Sequence, residues 1–456
     1  MDMGDDNMFG YLGHRLGNKG MTSDSIKIAP GMVYIDLDSK SRRGIYNASK
    51  KGASLIISNK NVSDPSIPIV QVKDIEETYL TLLNLLYERP IDKVSIVGVY
   101  GGSKGQLVVR LLDEIFANHF SKSSERKELK DFAYALISEK FNSIAENFFY
   151  YVLLCLSNNM TTIPFSYSDE LNRFQSLLRP RYDCYILIDE SPVKNKGMYC
   201  FTPGKPLFIN IDDPHILKAI DGEIENIVIT YGLNKKAAVT ATSIEYGEIT
   251  KFNYCLQRTF YSKSGSIIEP FEVPISIKGL GIGKVYSALS AISCALYYDI
   301  DMECVKETLY QFDDKGRDFS IIKYDNFILI DSYCLTERDY REAFEMLQML
   351  DYRSLYVIIP DFSSYRKEFN QLLVDLINEW NLSLDIKELY ILCGEKQEVQ
   401  DKNPGIFKNV KVRYFDQLSK AIGCSIKYLS DKDILLILGG DEMNSSQSII
   451  ELMSAK

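Results

Sequence analysis

The chain alternates between short apolar runs rich in β-branched residues and longer stretches whose apolar positions recur every three or four residues. "MVYIDL" at 32–37 reads as a strand, "RRGIYNASKKGA" as a helix ending at Gly52, and "SLIISN" as a second strand. "IPIVQV" is a third strand, and "DIEETYLTLLNLLYERP" is a helix that stops at Pro90. Strand–helix–strand order predicts a parallel sheet, so residues 1–90 read as one small α/β unit.

A second α/β unit starts at Val94, where an apolar run to Val97 meets a glycine-rich turn and then an apolar helical segment, Leu107 to Phe116. It continues through the helical "SEKFNSIAENFFYYVLLCLSN" and the strands "RYDCYILIDES", "KPLFINIDDP" and "ENIVITYGL". A β-rich section from "AAVTATSIEYGEITKFNYCLQRTFYS" to "FEVPISI" precedes two helices, "VYSALSAISCALYYDI" and "MECVKETLYQF". A third unit begins near Gly316. "FSIIKYDNFILIDSY" reads as a hairpin, and "TERDYREAFEMLQML" as a helix opening at an N-cap Thr336. "SLYVIIPDF", "ELYILCG", "NVKVRYF" and "DILLILGG" are strands separated by helical stretches, a doubly wound pattern. No internal repeat or low-complexity linker interrupts the chain.

Composition adds bounds. With 456 residues, 46% of them apolar and 25% charged, this is an ordinary globular composition sized for two to four domains. A net charge of -10 argues against nucleic acid or an anionic membrane as a partner. The nine cysteines include no C-x-x-C pair, so buried reduced thiols in a cytoplasmic protein are expected. The acidic start "MDMGDDNMFGYLGHRLG" has no apolar core and does not read as a signal peptide. "AENFFYYVLLCLSNN" is too short to span a membrane and reads as a buried helix.

The candidate chemistry centres on "VSIVGVYGGSKGQLVVRLL", residues 94 to 112. A phosphate-binding loop needs a strand, a glycine-rich turn and a helix, with a lysine beside a Ser or Thr. The context is present and the lysine is out of place. In a six-residue register on Gly98, Gly101 is the second glycine, Gly102 takes the lysine position and Ser103 supplies the hydroxyl. In the longer register, Gly98 to Lys104 has the right span, but Ser103 replaces a glycine and Gly105 replaces the Ser/Thr. Backbone amides at Gly101 and Gly102 can still face a phosphate, with Lys104 as the cation. The bland reading is a vestigial loop with a solvated lysine.

"TSDSIKIAPGMVYIDL" followed by "ASKKGASLIIS" resembles the N-terminal domain of Mur ligases, and most of all the tripeptide synthetases called MurE. The resemblance runs in order through "VSIVGVYGG", "PLFINIDDP", "ITYGLN", "GLGIGKVYSALSAISCAL", "DDKGRDFSII" and "ILIDSYCLTERDYREAF", nearly the whole chain. It implies a three-domain architecture: a UDP-sugar-binding-like domain over 1–90, a P-loop-like ATPase domain over 91–314 and a Rossmann-like domain over 315–456. It implies ATP and Mg²⁺ as cofactors, an acyl-phosphate route to an amide, and a UDP-sugar-peptide or amino-acid ligand.

The same resemblance assigns residues. Arg317 and Asp331 stand at catalytic positions, and Lys104, two places past the family's lysine, is the cation available to catalysis. Gly98, Gly101, Gly102, Ser103, Lys104 and Arg317 stand at phosphate-contacting ones. Asp24 and Ser25 stand where the sugar nucleotide binds, with Ile26 in place of the usual arginine. Ser103, Asp189 and Glu190 are the acids and hydroxyl available to magnesium. Several family positions are substituted: Gly102 for the lysine, Pro164 for a glutamate, Lys284 and Ser287 for two asparagines, and Cys334 for a histidine. These losses imply a protein with lost or reduced catalysis that binds or joins a complex, for example with an active ligase. The alternatives are a divergent working ligase using Lys104, Asp189 or Glu190, and Arg317, or a sensor of UDP-sugar-peptides built on the first domain alone.

Overall fold

The computed structural model describes residues 20–454 apart from 39–41, 63–66, 102, 121–142, 158, 167–173, 190–200, 220–224, 248, 314–315, 318, 325, 362–366 and 394–406. The fold is mixed α/β. The chain divides into two compact units. The first comprises residues 1–240, 256–270 and 290–308, and the second 241–255, 271–289 and 309–456.

The first unit opens with a four-stranded parallel sheet in the order β1 (Met21–Thr22), β2 (Val33–Asp36), β3 (Leu55–Ser58), β4 (Ile69–Gln71). β2 and β3 are buried at every position, as continuous apolar runs in a parallel sheet require. Helix α1 (Arg43–Lys50) joins β2 to β3, and Gly52 at φ 77° closes it where the sequence predicts a stop. Helix α2 (Ile75–Leu86) starts on an Asp74 cap whose carboxylate accepts the amides of Glu76 and Glu77.

A second parallel sheet follows. Its strands are β5 (Ser95–Tyr100), β6 (Thr162–Ser166), β7 (Tyr182–Leu187), β8 (Pro206–Asn210) and β9 (Ile227–Tyr231), in the spatial order β6–β5–β7–β8–β9. Helices α3 (Ser103–Phe120) and α4 (Ile144–Ser157) connect β5 to β6. Pro164 sits in the edge strand β6, where a missing amide donor costs no central ladder bond. Strand β10 (Val239–Glu245) begins beside β9 through Val239↔Tyr231. Within the second unit it continues next to β11 (Ile249–Leu256) and then β14 (Phe271–Lys278), which leads into helix α5 (Ile282–Tyr297); the first unit also holds the small antiparallel pair β12 (Phe260–Tyr261) and β13 (Ile267–Ile268), and helix α6 (Met302–Gln311) follows α5.

The rest of the second unit is a six-stranded sheet, with helices α7 (Glu337–Leu347) and α8 (Lys367–Leu384) among its connections. Its spatial order is β15 (Ser320–Tyr324), β16 (Phe327–Tyr333), β20 (Asp433–Gly439), β17 (Ser354–Pro360), β18 (Ile386–Leu392), β19 (Lys411–Phe415). β15 and β16 are the expected antiparallel hairpin and every other pair is parallel. Alternate residues feed two cores: Leu355, Val357 and Ile359 one, Tyr356 and Ile358 the other. Helix α7 opens with a capping box between Thr336 and Asp339, as the sequence reading of Thr336 anticipates. At the outer edge, Glu388 of β18 pairs with Lys411 at 2.5 Å and Arg413 at 3.0 Å, both on β19.

Candidate functional site

The carboxyl ends of the parallel strands in the second sheet converge on the glycine-rich turn. Ligands of open α/β sheets bind outside such ends. Ile188 donates its amide to the Tyr100 carbonyl at 2.9 Å, which carries the end of β7 alongside the end of β5. Asn210, the last residue of β8, donates to the Ile188 carbonyl at 2.8 Å, and the Tyr231 hydroxyl of β9 donates to the Leu187 carbonyl at 2.9 Å. Four strand ends are thereby locked in register. Asn210 and Tyr231 lie in two segments that carry the resemblance, "PLFINIDDP" and "ITYGLN", but neither was read as a site residue, because what marks them is side-chain bonding to a strand far away in the chain.

Gly101 makes the turn at φ 156°. A Cβ built there would lie 2.1 Å from Ile188 Cγ2 and 3.0 Å from Asp189 Oδ1, so only glycine fits, and an acidic oxygen faces it. Two of the expected site residues, Gly101 and Asp189, are therefore brought together. Gly98 lies inside β5, where the rings of Tyr182 and Tyr185 occupy the space a side chain would need. Lys104 falls in the first turn of α3 and is only 5% exposed, so the reading of it as a solvated lysine is corrected: burial has withdrawn it from water. Ser103 opens that helix. Gly102 and Glu190 lie outside the described residues.

In the second unit, Arg317 and Asp331 are also brought together. Arg317 Nε donates to Asp331 Oδ1 at 2.7 Å. Its Nη1 donates to the Gly440 carbonyl at 2.6 Å and to Asn444 Oδ1 at 3.2 Å, and the guanidinium stacks over the Tyr333 ring. Ser446 Oγ donates to the other Asp331 oxygen at 2.5 Å. Burial raises the Asp331 pKa above the ordinary carboxylate value, while Arg317 and Ser446 pull it back. Cys334, at the histidine position, is 1% exposed, and burial pushes its thiol well above the usual range.

Asp24 and Ser25 sit in a turn held from within. Ile26 donates its amide to Asp24 Oδ1 at 2.8 Å, and Asp24 donates its own to Thr22 Oγ1 at 3.1 Å. Lys51 closes the turn from outside through the Ser25 and Ile26 carbonyls. Among the described residues, no cluster of three or more His, Cys, Asp or Glu side chains is placed to hold a metal, and no helix is long and apolar enough to cross a membrane.

No protein-family profile matches the chain. It is 22% identical over 348 residues to the UDP-N-acetylmuramoyl-L-alanyl-D-glutamate--2,6-diaminopimelate ligase of Caldanaerobacter subterraneus subsp. tengcongensis, which spans 72% of this chain and 70% of that protein. The ligase of the same name from Alkaliphilus metalliredigens is 22% identical over 345 residues, covering 71% and 67%. Among solved structures, MurF from Acinetobacter baumannii superposes with a TM-score of 0.65 at 12% identity, over 96% of this chain and 93% of that one. MurF ligase from Thermotoga maritima, solved in complex with ADP, gives 0.63 at 12% identity over 96% and 97%. In sequence the chain is similar to MurE-type ligases, and its architecture is that of the Mur ligases.

Proposed function

We propose that this protein is a degenerate member of the ATP-dependent UDP-N-acetylmuramoyl-peptide ligases of cell-wall biosynthesis, with lost or reduced catalysis, acting in the cytoplasm as a binding or complex partner. One observation carries the reading. Of the positions where the resemblance places the family's catalytic and adenine-contacting groups, Pro164, Lys284, Ser287 and Cys334 hold substitutes that are all buried. Arg317, which the resemblance directs at phosphate, is committed to Asp331, Gly440 and Asn444. The domain division 1–90, 91–314 and 315–456 is part of the proposal, and the presence of one sheet of four, one of eight and one of six strands supports it.

The residues present fit a phosphate better than they fit the reaction. A phosphate is the ligand that Gly101, the amides of the first turn of α3 and Lys104 suit, and the Asp189 carboxylate near Gly101 suits a divalent cation. ATP, when bound, supplies the phosphoryl group that turns a carboxylate into an acyl phosphate. This set of groups favours a second reading, a divergent but working carboxylate–amine ligase.

Calorimetry with Mg·ATP, followed by a phosphate-release assay with UDP-N-acetylmuramoyl-L-alanyl-D-glutamate and diaminopimelate, separates the two. The expected outcome is nucleotide binding that is weak or absent and no turnover. Turnover that is lost in both Arg317→Ala and Asp189→Asn overturns the degenerate reading. Sedimentation with an active MurE-type ligase tests the partner role, the expected result being a mixed complex.

A further inference from the structure

The loop that carries Asp24 and Ser25 is also tied to a helix more than a hundred residues away. Ser23 Oγ donates to Glu146 Oε1 at 2.6 Å, and Tyr79 Oη donates to the same oxygen at 2.6 Å. Glu146 belongs to α4 and Tyr79 to α2. The exchange runs both ways. Glu76 of α2 accepts from Ser143 Oγ at 2.8 Å and from the Ala145 amide at 3.1 Å, which satisfies the first donors of α4. Two carboxylates, each on its own helix, therefore stitch α2 to α4, and Ser23 joins the loop to that seam. A carboxylate oxygen taking two short hydroxyl bonds is a strong, charge-assisted acceptor, and it fixes the direction of both donors.

We infer that Glu146 is a positioning residue: through Ser23 it holds the Thr22–Lys27 turn in one conformation, so that Asp24 and Ser25 meet a ligand preformed. The inference rests on the reading that this turn faces a sugar nucleotide. Its physical content is independent of any ligand. The turn has three anchors: Asp24 inside it, Lys51 from the end of α1, and Glu146 through Ser23. Removing the third leaves the backbone bonds intact and frees the entry to the turn. A preformed loop spares a ligand the entropy of ordering it.

Hydrogen exchange on the full-length protein tests the anchor directly. Ser23→Ala is expected to speed exchange of the Asp24, Ile26 and Lys27 amides by about tenfold, the loss of one hydrogen bond to a charged group. The amides of α2 and α4 keep their wild-type protection, because Tyr79 still holds Glu146. Ser23→Thr restores slow exchange. Tyr79→Phe speeds exchange in α2 more than in the turn, which separates the seam from the loop. Exchange of those three amides within twofold of wild type in Ser23→Ala overturns the inference. Titration with UDP-N-acetylmuramoyl-L-alanyl-D-glutamate then reads the consequence, with affinity expected to fall about tenfold in Ser23→Ala and to recover in Ser23→Thr. If the wild type does not bind this probe, the sugar-nucleotide reading falls while the exchange result still decides the anchor.

Discussion

The turn after β5 and the turn after β14 share a plan. Each is a strand, a glycine at positive φ and a helix with a lysine in its first turn: Gly101 with Lys104, and Gly279 and Gly281 with Lys284. Both lysines are buried, at 5% and 3% exposure. What fills the turn differs. At Gly101 the near neighbours come from another strand end, Ile188 and the Asp189 carboxylate. At Gly279 the near neighbour is Lys284 itself, whose Cε would lie 2.9 Å from an added Cβ. One turn is built against a fixed wall that ends in a charge. The other is packed by the flexible side chain of its own helix. Glycine-rich turns of the same outline therefore differ in how rigidly they are made, and rigidity is what a phosphate cradle needs.

The largest test of this contrast is Gly101→Ala. Its Cβ meets a buried branched side chain at an unfavourable φ, so a loss of about 3 kcal/mol is expected in urea unfolding. A loss under about 1 kcal/mol would show that the wall yields and would erase the difference between the turns. The next test concerns the helix that leaves the first turn. Asp113 of α3 accepts from Tyr151 at 2.8 Å through Oδ1, while its buried Oδ2 finds no hydrogen-bond partner among the described residues. Burial pushes its pKa up to about 8. The folded state thus holds a proton that the unfolded chain releases near pH 4, so the contribution is full below that point and is lost as pH rises toward 8. Wild type is expected to lose roughly 2 kcal/mol between pH 6 and pH 8 through this group, and Asp113→Asn to flatten that slope in thermal melts. An unchanged slope would mean that the carboxylate is stabilised in place.

A smaller effect belongs to the second turn. Gly279→Ala is expected to cost about 1 kcal/mol, chiefly the positive φ, since the lysine methylenes can move aside.

Much of the fold was legible in the sequence for local reasons. Gly52 ends α1, Thr336 caps α7, and the period-two runs on either side of residues 325–326 form a hairpin. Gly101 was legible too, because its requirement is written in a single backbone angle. The rest of the site depends on partners distant in the chain. The burial of Lys104, the lone oxygen of Asp113 and the hold of Glu146 on Ser23 arise only when helices pack, and no periodicity carries them. Arg317 and Asp331 were picked as separate chemical groups, and their mutual bond follows from the hairpin register that sets Ser320 opposite Asp331.

The pairing of Glu388 with Lys411 and Arg413 has a consequence for crowded solutions. β19 is the last strand of its sheet, and an unpaired strand edge invites a neighbouring chain to add on. Here an approaching strand would have to strip water from two cations anchored to a carboxylate on the strand behind them. Charges so placed on an outermost strand discourage edge-to-edge pairing, so self-association is expected to rise when Lys411 and Arg413 are neutralised together.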